Sequence, residues 1–124
     1  MTIRNFTTKT ITMTAVTDTA IIQNVTGKVK CISIKPSGIS TDFRISCVKS
    51  GITEYIFGAA SAVSVLAAGT VFTPQKLAID ADEGALTVTS NTYVDYILDS
   101  QDVTITVSAG ANAETYTVNI IVEE

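Results

Sequence analysis

Apolar and polar residues alternate strictly along several stretches of the chain. In "DVTITVSAG", Val103, Ile105 and Val107 fall on one side while Thr104, Thr106 and Ser108 fall on the other. "ETYTVNIIVEE" continues the rhythm through Tyr116, Val118, Ile120 and Val122. A two-residue period places alternate side chains on opposite faces of a strand, so both stretches predict strands with one buried face. The intervening "SAGANAE" is rich in turn formers, and the pair is expected to form a hairpin. "TDFRISCVK" turns Phe43, Ile45 and Cys47 inward with Arg44 and Ser46 outward, and the turn in "KSGIT" leads to "EYIFG" as a second hairpin. Further strands are expected at "KTITMTAV", "KVKCISIK", "AVSVLA", "QKLAID", "ALTVTS" and "YVDYIL", with "IIQNV" a short strand or strand end. Turn signals stand at Thr26-Gly27, Pro36-Ser37-Gly38, Ser50-Gly51, Ala68-Gly69, Glu83-Gly84 and Asp99-Ser100. The Ala-rich "GAASAVSVLAAG", residues 58–69, would tolerate one short helix, but the alternation of Val63 and Val65 favours a strand.

Short strands at regular spacing predict an all-β fold: a single antiparallel β-sandwich of jelly-roll or Ig-like topology with about 8–9 short strands. Residues 1–9 are expected to form an N-terminal arm or a first strand, and residues 10–124 one domain. Composition agrees, since Thr is the commonest residue and Ile, Val and Ala follow. β-branched side chains suit a pleated surface better than a helix. The chain has 124 residues, enough to bury a core without metals or disulfides. Cys31 and Cys47 are expected to be free, buried thiols, with a disulfide between them the alternative that sequence leaves open.

Charge divides the chain. Residues 1–76 hold all eight basic residues and three acids, net +5, whereas residues 77–124 hold nine acids and no base, net −9. Such asymmetry predicts either a two-faced surface that meets complementary neighbours, or charges scattered by interleaved strands. Overall acidity, with Lys and Arg not interleaved with aromatics, points away from nucleic acid. Lys28 and Lys30 in "KVKCISIK" read as an exposed strand face or as edge protection. No export signal or membrane-spanning run is evident, so the expected setting is a cytoplasm.

Catalytic chemistry has few candidates. The chain contains no His, which removes the commonest general base and metal ligand. No phosphate-binding glycine loop is present, and neither an enzyme nor a cofactor is expected. In "DADEG", Asp80 and Asp82 could share a calcium ion with a carbonyl and water, but with Glu83 and Gly84 they read better as a solvated turn. Phe72, Tyr93 and Tyr96 are the candidates for an exposed aromatic platform on a carbohydrate- or receptor-binding module.

Three stretches carry a resemblance: "VTGKVKCISIKPSGISTDFRISCVKSGITEYIF", "LAAGTVFTPQKLAIDADEGALTVTSNT" and "DVTITVSAG". Over roughly residues 25–110 the chain resembles small β-sandwich proteins of tailed-bacteriophage virions, through alternation and turns of low specificity. That resemblance implies a capsid decoration or cement protein, or else a neck, tail or fibre accessory protein, located in the virion. Its implied partners are the major capsid protein and copies of itself, in a homo-oligomer such as a trimer, with no membrane or nucleic acid involved. It implies no catalytic, cofactor or metal residue.

Overall fold

The computed structural model describes residues 3–7, 11–12, 17–36, 41–58, 62–65, 68–77, 93–108 and 114–124. These form eleven strand segments and no helix: β1 (Ile3–Thr7), β2 (Ile11–Thr12), β3 (Asp18–Pro36), β4 (Thr41–Lys49), β5 (Ile52–Phe57), β6 (Val63–Val65), β7 (Thr70–Phe72), β8 (Gln75–Leu77), β9 (Tyr93–Asp95), β10 (Ile97–Ser108) and β11 (Thr115–Glu123). The main path runs β1-β11-β3-β10-β4-β5, with β2 on β11, β6 on β4 and β7 on β3, while β8 and β9 pair separately. All pairings are antiparallel.

The organising element is β3, which is not short. Its first half, up to Lys28, pairs with β10, and its second half, from Lys28 to Pro36, pairs with β11. One strand therefore serves both layers of the sandwich. Phe43 of β4 meets Tyr116 of β11 edge-on, with ring centroids 5.6 Å apart and planes at 77°. Since β4 and β11 do not pair, that contact is made face to face across the interior. Around it lie the predicted inward residues: Val103, Ile105 and Val107 of β10, Ile45 and Cys47 of β4, and Val118, Ile120 and Val122 of β11, all buried. Burying each Val or Ile contributes about 1.5–3 kcal/mol, so this ladder of aliphatics is the main source of stability.

Two expectations are corrected. Strands β10 and β11 do not form a hairpin, because β3 lies between them. Nor do Thr26-Gly27 and Asp99-Ser100 separate strands, since each lies inside a continuous one. The alternation breaks there because the ladder is bulged on both sides. Between Ile22↔Val103 and Val25↔Gln101 the extra residue is on β3, and between Val25↔Gln101 and Gly27↔Leu98 it is on β10. Opposed bulges restore the register while adding twist and bend. Asn24 and Ser100 absorb the distortion at φ 55° and 53°. Side chains replace the lost ladder bonds: Asn24 N–H donates to Asp102 Oδ1 at 3.1 Å, and Ser100 N–H donates to Thr26 Oγ1 at 2.9 Å.

Other expectations agree with the structure. Strands β4 and β5 form the predicted hairpin, turning at Ser50 (φ 50°) and Gly51 (φ 78°), the two positive angles of a type I′ turn. Val63–Val65 is a strand. Cys31 and Cys47 are both free, but only Cys47 is buried, because Cys31 lies on the opposite face of β3 from Ile32 and Ile34. "ALTVTS", Ser37-Gly38, Glu83-Gly84 and most of "KTITMTAV" lie outside the described residues.

Candidate functional site

Strand β9 and the start of β10 carry the most surface detail. The main chain pins this region to β3, where Val29 N–H donates to the carbonyl of Tyr96 at 2.8 Å. Lys30 Nζ reaches Asp95 Oδ2 at 2.7 Å, and Gln75 Nε2 donates to Asp95 Oδ1 at 3.4 Å. The bond from Lys30 holds the Asp95 carboxyl below its usual range, and Asp95 in turn raises Lys30. Beside them is an open recess of about 350 Å³ lined by Lys28, Gln75, Tyr93, Val94, Asp95 and Ile97. Ile97 and Lys28 also border a second recess that runs past Gly27 to Glu123 and Glu124. Tyr93, Val94 and Ile97 are all exposed, so the recess mixes apolar side chains with Lys28, Gln75 and Asp95.

A second charged group fixes the neighbouring edge. Glu54 of β5 lies 2.7 Å from Lys49 Nζ and 2.8 Å from Lys76 Nζ. Burial alone would raise the Glu54 carboxyl, but the two lysines outweigh it and lower it. Lys76 also stands 5.3 Å from the centre of the Tyr96 ring. Nothing in the sequence separation of Lys49, Glu54 and Lys76 announces this trio. It depends on β8 arriving beside the β4–β5 hairpin.

The predicted site residues do not converge. Asp80 and Asp82, with Glu83 and Gly84, lie outside the described residues. Among the described residues no group of three or more Cys, Asp or Glu is placed to hold a metal ion. The aromatic platform is dispersed. Tyr93 is exposed, Tyr96 packs against the core, and Phe72 stacks on Phe57 at 4.3 Å in a separate apolar cleft lined also by Val63 and Val65. Charges from the two halves are interleaved, since β3 and β4 of the basic half alternate with β11 and β10 of the acidic half. Arg4–Glu124 at 3.4 Å and Lys30–Asp95 at 2.7 Å pair residues across that divide. Lys28 is exposed while Lys30 is engaged, so the two do not form a free basic stripe. No family model, curated protein or solved structure matches the chain.

Proposed function

We propose that this chain is a non-enzymatic structural protein of a phage virion, a decoration or cement subunit that stabilises the head by bridging capsid subunits. The observation that carries the reading is the distribution of exposed apolar side chains. Tyr93, Val94 and Ile97 gather at the recess beside Asp95, while Ile3, Ile21, Val48, Ile52, Val63 and Val71 stand exposed on six other strands. A subunit packed among neighbours needs modest contact surfaces on more than one side, and each need bury only about 800 Å² per partner to be stable. The resemblance of residues 25–110 to virion sandwiches points the same way. Ion pairs such as Arg4–Glu124 and Lys30–Asp95 tie strands together and leave the β-branched surface available for contact.

The test is co-sedimentation with shells of the major capsid protein encoded beside this chain. Saturable binding, with shells that melt at higher temperature once decorated, is the expected result. A chain that neither binds shells nor protects them overturns the reading. Binding to isolated tail or neck assemblies instead would move the protein to that part of the particle.

A further inference from the structure

We propose that the outer edge of the first half of β3, residues 19–24, is a homotypic pairing edge on which a second copy of this chain adds its own β3, antiparallel, about a two-fold axis at Ile21. The inference rests on the reading that copies of the chain associate, and it names the surface they use. Along residues 19–26, β3 has β10 on one side, and among the described residues no strand pairs with the other, β11 joining only from Lys28. Alternate residues there present main-chain N–H and C=O groups outward, which is a template for another strand, although the Thr19 N–H is already taken by Asp18 Oδ1 at 2.8 Å.

Sheet edges are commonly guarded by Lys, Pro or an inward-pointing charge. Residues 19–25, Thr-Ala-Ile-Ile-Gln-Asn-Val, carry none of these. Two other margins differ: β1 carries Arg4, paired with Glu124, and β5 carries Glu54, held by two lysines, while the uncharged margins β6 and β7 are only three residues long. The bulge at Asn24 limits the flat run to its first part. Residues 19–24 bear no charge, so two copies meeting there bring no like charges together although the whole chain carries a net charge of −4.

The pairing is also self-complementary. With Ile21 opposite Ile21 of the second copy, Ala20 faces Ile22 and Thr19 faces Gln23, and no like charges meet. Thr19, Ile21 and Gln23 are exposed, so they share the outer face, whereas Ala20 and Ile22 point to the core. Pairing would therefore join the rims of two cores and stack the exposed isoleucines. An edge of this length covers less than the ~800 Å² per partner of a typical stable interface, so association is concentration-dependent.

Sedimentation equilibrium on the full chain tests this, with Ile21→Lys as the probe and Ile52→Lys, at an exposed site on β5, as the control. The wild type and I52K should dimerise alike. I21K should weaken dimerisation about tenfold or more while keeping its circular dichroism, because two lysines would face each other. In parallel, Ile21→Cys should form an intermolecular disulfide under mild oxidation faster than Ile52→Cys. Equal assembly by I21K and wild type, or cross-linking of I21C no faster than I52C, overturns the pairing while leaving self-association standing. A wild type that stays monomeric at every concentration yet binds shells removes the pairing alone. One that is monomeric and binds nothing removes both readings.

Discussion

Replacing Gly27 with Ala tests the point where β3 passes from one layer to the other. Gly27 has φ 128°, a conformation in which a side chain is strained, and a Cβ built there would lie 2.9 Å from the Glu123 carbonyl oxygen and 3.1 Å from Val122 Cβ. The backbone strain costs about 1–2 kcal/mol. The contact with main-chain oxygen cannot be relieved by rotating a side chain, and overpacking of this kind adds about 1–3 kcal/mol. Gly51 isolates the first contribution, because it has φ 78° but nothing within 4 Å of the same built atom. Urea titrations of G27A and G51A, compared at equal m-values, should place G27A lower by about 1–3 kcal/mol, with G51A itself about 1–2 kcal/mol below wild type. Equal losses in the two variants would refute the idea that close approach of β11 is what requires glycine at position 27.

Further outcomes follow from the core and the charged groups. Tyr116 Oη is buried with no hydrogen-bond partner among the described residues, so Tyr116→Phe should leave stability unchanged or raise it by up to about 1 kcal/mol. Burial, with Asp18 nearby, pushes the Tyr116 phenol from 10.0 up to about 12, so the folded state keeps a proton that the unfolded state loses. Wild-type stability should therefore fall as pH rises from about 10 to about 12, and Y116F should lack that loss in alkaline urea titrations. Glu54 has a lowered carboxyl, so its contribution is present above the ordinary carboxylate range and disappears as pH falls through the folded value. Glu54→Gln should accordingly flatten the acid limb of midpoint against pH, and an unchanged slope would rule out the lysine clamp. Burial pushes the Cys47 thiol up, so a thiol reagent should label Cys31 first in the native protein and reach Cys47 only on unfolding. Equal native rates would place Cys47 outside the core.

The site was less legible than the fold. Lys49–Glu54 closes within the β4–β5 hairpin, but Lys76 joins it only once β8 is placed, and Lys30–Asp95 forms only once β9 is placed. Gly27 and Ser100 did signal unusual backbone while Asn24 did not, and the residue types that signal serve turns and bulges alike. Only the pairing partner tells the two apart. The Ser50-Gly51 turn was readable because a two-residue connection fixes its own hairpin locally.

What the sequence by itself determined is which face of each strand is buried. Val103, Ile105 and Val107, the matching set on β11, and Phe43, Ile45 and Cys47 all lie inside as their alternation requires. The physical reason is that a two-residue period is a property of one strand and needs no knowledge of its neighbours. Beyond the β4–β5 hairpin, which strands adjoin was decided only by the tertiary structure. Strand β3 displaced the expected hairpin between β10 and β11 by offering each of them a separate half. That choice rests on bulges and on Gly27 letting one long strand bend between two layers, and its energy comes from burying both inner faces at once rather than from any local turn.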